Sequence, residues 1–137
     1  MRLLGLAGAC LALFCLLAPL AGAAGGEGLI TGAEARKMLG ADGKGMTVLD
    51  VRTPAEYAAG HIKGAVNIDF FGPRFEMELG RLDKSKPVLI YCQTGRRSEA
   101  AAKMTRSAGF QEVHDLKGGV KAWRAAGLPL EEEAARR

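Results

Sequence analysis

From Ile30 onward the apolar residues fall into short blocks, and glycine- or proline-bearing breaks separate them. Met46-Thr47-Val48-Leu49-Asp50-Val51, Ala65-Val66-Asn67-Ile68, Val88-Leu89-Ile90-Tyr91 and Glu112-Val113-His114-Asp115-Leu116 have strand length. The first reads as a strand buried on both faces. Helical patterns lie between these blocks. Thr31-Gly32-Ala33-Glu34 has capping-box spacing and predicts a helix to about Leu39. Thr53-Pro54-Ala55-Glu56 repeats that logic with proline at the first helical position, and Gly60 stops the helix. The run 70–82 is ambiguous, with a short helix expected around Phe75–Leu79. The clearest helix is alanine-rich, over 98–107, with Ser98 as its cap and Gly109 closing it. Gly118-Gly119 bend into a last helix over 120–126. Strands alternating with helices predict an α/β fold, a parallel sheet with helices on both faces. Such sheets bind ligands at the carboxyl ends of their strands.

The ends of the chain read differently. Met1-Arg2 precedes an uncharged Leu- and Ala-rich run that closes on Ala21-Gly22-Ala23-Ala24. One positive charge, an apolar stretch and small residues at its end predict a secretory signal peptide over 1–23, and hence a periplasmic protein. An uncleaved anchor is the rival reading, because the run reaches the ~20 residues that span a bilayer. Pro19 and Gly22 favour cleavage. Residues 24–29 read as a flexible leader, 30–130 as the domain, and 131–137 as a charged, solvated tail. Cys10 and Cys15 leave with the signal, so Cys92 stands alone and no disulfide can form within one mature chain. The formal charge of +4 is scattered, with no Lys/Arg block and few aromatics. That pattern argues against nucleic acid and for local attraction of small anions.

Cys92 is where the chemistry concentrates. The segment Cys92-Gln93-Thr94-Gly95-Arg96-Arg97 follows a strand pattern, and Ser98 opens a helix pattern. A helix start offers free N–H groups and partial positive charge. Gly95 permits the sharp turn that aims successive amides inward. With Arg96 and Arg97 alongside, a thiol there ionises below its free value of ~8.5, and the same cradle holds an anion against the sulfur. An isolated cysteine is more often buried and inert. Such a residue has no need of a glycine, two arginines and a serine downstream.

Three motifs together resemble the rhodanese family of sulfurtransferases. The first is Asp50-Val51-Arg52-Thr53-Pro54-Ala55-Glu56-Tyr57-Ala58-Ala59-Gly60-His61-Ile62-Lys63-Gly64-Ala65-Val66-Asn67-Ile68, and the second is the Cys92 loop. The third is Leu116-Lys117-Gly118-Gly119-Val120-Lys121-Ala122-Trp123. The resemblance extends from about Ile30 to Leu130. It implies a single domain with a mostly parallel central sheet, and a Cys92 persulfide as the covalent intermediate. Gln93, Thr94, Gly95, Arg96, Arg97 and Ser98 would bind the substrate. The implied partners are a small anionic sulfur donor and a thiol or cyanide acceptor, with a thiol redox protein as a further candidate. No organic cofactor or metal is implied, and the chain is expected to be a monomer that meets a membrane only if the leader is uncleaved.

Two arginines suit the thiosulfate dianion better than 3-mercaptopyruvate, although a polysulfide or protein persulfide is an alternative donor. A sulfur-carrying module for a redox partner is the competing function. Phosphatase or arsenate-reductase chemistry fits less well, because only four residues separate Cys92 from Arg97. Around the loop, His61 and His114 read as scaffold. Asp50 is expected to pair with Arg52 or a backbone N–H, and Arg52 with Glu56 across a helix start. Trp123 reads as core, and Phe70-Phe71 equally as core or as the mouth of the pocket.

Overall fold

A computed structural model describes residues 28–133, so the signal peptide and most of the leader lie outside the described residues, as do the last four residues of the tail. Five strands, β1 (Gly28–Ile30), β2 (Thr47–Asp50), β3 (Val66–Asn67), β4 (Val88–Tyr91) and β5 (Val113–Leu116), form one sheet in the order β1-β5-β4-β2-β3. Every strand pairing is parallel. Five helices alternate with them: α1 (Gly32–Leu39), α2 (Pro54–Ala58), α3 (Phe75–Leu79), α4 (Arg96–Ser107) and α5 (Gly119–Ala125).

Alternation along the strands builds two cores. Val48, Leu89, Tyr91 and Leu116 face one layer with Ala35 and Leu39 of α1 and Val120 and Trp123 of α5. Leu49, Val88, Ile90 and Val113 face the other with Phe75 and Leu79 of α3 and Ala101 and Ala102 of α4. A strand's period of two sends neighbouring side chains to opposite faces. Because both faces are covered, β4 is buried throughout. Trp123 lies in the core as expected, with its indole N–H donating to the Pro129 carbonyl at 2.9 Å.

Both capping boxes form. The side chains of Thr31 and Thr53 accept from the amides of Glu34 and Glu56, whose carboxylates accept from the cap amides in return. Four expectations change. Gly28 and Leu29, assigned to the flexible leader, form with Ile30 an edge strand in register with His114, Asp115 and Leu116 of β5. The start of the solvated tail is tied down, since Glu131 and His61 exchange backbone hydrogen bonds at 2.8 Å. Phe70 packs partly against the core, whereas Phe71 is 73% exposed. And Ser98 does not cap α4, because the helix starts two residues earlier with Gly95 as its cap. The cap position needs a left-handed backbone, which Gly95 adopts at φ 107° and which a side chain would oppose.

Candidate active site

Cys92 follows the last residue of β4, at the carboxyl end of a central strand. Its side chain is only 1% exposed. The chain turns through Gln93, Thr94 and Gly95 into α4, and the Gly95 amide donates to Cys92 Sγ at 3.0 Å. Ser98 sits in the first turn of α4. Its hydroxyl lies 3.2 Å from the Gly95 carbonyl and beside the sulfur, and its one proton turns to either acceptor. Burial opposes ionisation of the thiol. Hydrogen bonding from the Ser98 hydroxyl and from the amides of Ser98, Gly95 and Thr94 outweighs it, and the Cys92 pKa falls below its ordinary value. A thiolate accepting several N–H bonds is favoured over a thiol that can use few of them.

Other segments hold the loop in place. The α5 amides of Val120 and Lys121 donate to the carbonyls of Cys92 and Gln93 at 2.9 and 3.1 Å. Gly119 allows that approach. At φ 61°, a Cβ built there would lie 2.5 Å from the Cys92 carbonyl oxygen and 2.6 Å from Gln93 backbone atoms. On the other side, Asp50 and Arg52 form a buried ion pair at 2.7 Å. Arg52 also donates to the Gly60 carbonyl at 2.7 Å and to Gln93 Oε1 at 3.4 Å, and its guanidinium lies over the Tyr91 ring. The Tyr91 hydroxyl accepts from the Ile62 amide at 3.1 Å. Asp50 is therefore scaffold. So is His61, which stacks on Tyr57 and meets the Tyr57 carbonyl through Nδ1 at 2.9 Å. His114 is buried in β5 against Glu112.

The two arginines of the loop part company. Glu56 pairs not with Arg52 but with Arg97, through two parallel bonds of 2.8 Å. Those bonds hold the Glu56 carboxyl down to about 2, against partial burial and with help from the Thr53 cap. The guanidinium of Arg97, a residue expected to bind the substrate, is engaged by a carboxylate contributed by α2. Arg52 is unavailable to Glu56 because Asp50, two residues away in the interior, holds it. Arg96 is exposed and makes no hydrogen bond or ion pair among the described residues, which leaves it as the free cation of the loop. Thr94, Gly95 and Ser98 lie about the sulfur, and the Gln93 side chain meets Arg52. Sequence reasoning missed Glu56 as a loop anchor, and also Asp115, which is buried in β5 beside Ser98. The Thr53–Glu56 box signalled that Glu56 has a fixed rotamer, but not what its outer edge meets.

A strand-end cysteine in a ring of amides, backed by a Gly-Gly turn, occurs here in a chain whose residues 31–126 match the model of the rhodanese-like domain. The chain belongs to the rhodanese-like domain family. Among its relatives, the Bacillus subtilis protein YqhL, named as uncharacterized, is 41% identical over 76 residues, which cover 56% of this chain and 59% of that protein. The thiosulfate sulfurtransferase GlpE of Pseudomonas fluorescens is 38% identical over 81 residues, 59% of this chain and 72% of that protein. The crystal structure of the Alr3790 protein from Anabaena sp. superposes with a TM-score of 0.68 at 32% identity, covering 75% of this chain and 81% of that one. Rhodanese-like membership places the chain in a sulfur-transfer family.

Proposed function

We propose that this rhodanese-like chain is a thiosulfate sulfurtransferase that works through a persulfide on Cys92. The observation that carries the reading is the sulfur itself, ringed by backbone amides with Gly95 N–H at 3.0 Å and a lowered pKa. The thiolate attacks the outer sulfur of thiosulfate. A new S–S bond forms at Cys92, the bond to the sulfonate sulfur breaks, and its electron pair leaves with sulfite. An acceptor, cyanide or a thiolate, then attacks the outer sulfur, and the pair of the broken S–S bond returns to Sγ. The loop amides stabilise negative charge on sulfur before and after transfer, and preorganised donors of this kind need no rearrangement during the reaction.

The dianionic donor is favoured by the free Arg96 at the mouth of the loop and by the helix N-terminus behind it. A neutral donor would draw nothing from either. The uncharged N-terminal run ending in small residues supports export to the periplasm, which N-terminal sequencing of the mature protein tests directly. The activity is tested by mass spectrometry and turnover. Thiosulfate should add one sulfur atom to the intact protein, cyanide should remove it as thiocyanate, and Cys92→Ser should do neither. Thiocyanate formation at an undiminished rate in Cys92→Ser would remove the assignment.

A further inference from the structure

The period of two along β5 sends Asp115 to the same side as Val113, against α4. The residue is 6% exposed, and its Oδ1 is buried without a hydrogen-bond partner. Buried carboxyl oxygens are nearly always paired, and an apolar side chain would avoid the penalty of leaving one unpaired. The polar group beside this carboxyl is the hydroxyl of Ser98, itself fully buried in the first turn of α4. The same hydroxyl lies beside Cys92 Sγ. One buried hydroxyl thus serves a thiol on one side and a carboxyl on the other.

The charges around the pair are few. Burial pushes the Asp115 carboxyl up; the Ser98 hydroxyl and Arg106 act against that, and Glu99 adds to it. Glu99 pairs with Lys103 at 3.3 Å, and Arg106 donates to the Val113 carbonyl at 3.2 Å. From the neighbouring strands, Leu29 of β1 and Ile90 of β4 flank Asp115 and bring no charge. Lys117 and Arg96 line the same side of the sheet. At Cys92 the cation that acts on the sulfur is Arg97, and Glu56 already holds it.

We propose that Asp115 is a positioning residue of the active site, which shares one proton with Cys92 through the Ser98 hydroxyl. A hydroxyl has one proton to give and lone pairs to receive another. With the thiol protonated, S–H donates to Ser98 Oγ, and the Ser98 proton turns to the Asp115 carboxylate. When the thiol ionises, its proton passes to Oγ and the Ser98 proton passes to Asp115. The carboxyl then donates back to Oγ, and the Ser98 hydroxyl donates to the thiolate. Both forms carry one negative charge and the same protons, and in both the carboxyl has its partner. The inference deepens the sulfur-transfer reading, and rests on it only for its use in turnover: Asp115 sets which way Ser98 donates and so how readily Cys92 becomes a nucleophile.

The test is the thiolate absorbance of the unloaded protein against pH, with Cys92→Ser as the blank. Two groups that share a proton titrate as a pair, so the wild-type thiolate should appear in two steps. Asp115→Asn offers an NH2 to Ser98 in place of the carboxyl proton and never ionises. Its thiolate should appear in one step, complete about one pH unit below the upper step of the wild type. A carboxyl that only supports the fold predicts the opposite, and an unchanged or raised midpoint in Asp115→Asn would overturn the proposal. If that variant does not fold, infrared difference spectra of wild type against Cys92→Ser decide, at a pH between the two steps. The carbonyl stretch of a protonated buried carboxyl is expected in the wild type and not in Cys92→Ser. No difference between them would also overturn it. In turnover with thiosulfate, the acid limb of kcat/KM should move down in Asp115→Asn with the thiolate. A chain that shows the shared proton but takes no sulfur from thiosulfate would count against the persulfide reading alone.

Discussion

Replacing Glu56 with Gln removes one charge and turns one accepting oxygen into an NH2 group. Gln occupies the same position of a capping box and still accepts from the Thr53 amide, so α2 keeps its start. One of the two hydrogen bonds from Arg97 is lost because the amide NH2 cannot accept, the other loses its charge assistance, and the loop's tie to α2 weakens. The drop of the carboxyl from an ordinary 4.5 to about 2 corresponds to at most ~3 kcal/mol of pairing. A third of the Glu56 side chain is exposed, and solvent screening reduces that to about 1–2 kcal/mol. In a domain of this size such a loss lowers Tm by ~5–10 °C.

The sign of the pH dependence is fixed. Glu56 has a lower pKa in the folded than in the unfolded chain, so the pair contributes fully above the unfolded value of 4.5 and fades as pH falls toward 2. Thermal melts of the wild type and Glu56→Gln, followed by circular dichroism, should differ most at pH 6 and converge as pH falls below 4.5. Equal Tm values at pH 6, or a gap that stays constant from pH 6 to pH 3, would refute the reasoning.

Other outcomes follow from the same geometry. Gly119→Ala forces a Cβ against the Cys92 and Gln93 backbone, so thiocyanate formation should fall at least tenfold at temperatures where the variant remains folded by circular dichroism. Near-normal turnover would show that the loop does not depend on that approach. Arg96→Ala should raise KM for thiosulfate several-fold while leaving a neutral donor's KM nearly unchanged, and steady-state kinetics with both donors decides it. Tyr57→Phe removes the hydroxyl bond to the Ala65 carbonyl, 2.8 Å long, and should cost about 1 kcal/mol in urea unfolding with no change in thiol reactivity.

The alternation of elements and the chemistry of the loop were legible because they are written in contiguous residues. A capping box spans four positions, and the cysteine loop runs unbroken from Cys92 to Ser98. What escaped depends on distance along the chain. Arg97 and Glu56 are 41 residues apart, and nothing local chooses Glu56 over Asp50 as the partner of an arginine. Arg52 was open to either carboxylate by spacing, and burial beside Asp50 decided it. β1 escaped because Gly28-Leu29-Ile30 has no strand pattern of its own, and only the neighbouring β5 makes it one. Ser98 was misread as a cap because serine suits that position. The turn at Gly95 brings the helix start forward and leaves Ser98 facing the sulfur.

Thiolate absorbance near 240 nm, recorded against pH as the difference between wild type and Cys92→Ser, measures the ionisation on which sulfur transfer would rest. The amide ring and the Ser98 hydroxyl predict a midpoint clearly below the ~8.5 of a free cysteine, moving upward in Ser98→Ala. A midpoint at or above the free value, indifferent to Ser98, would contradict the account.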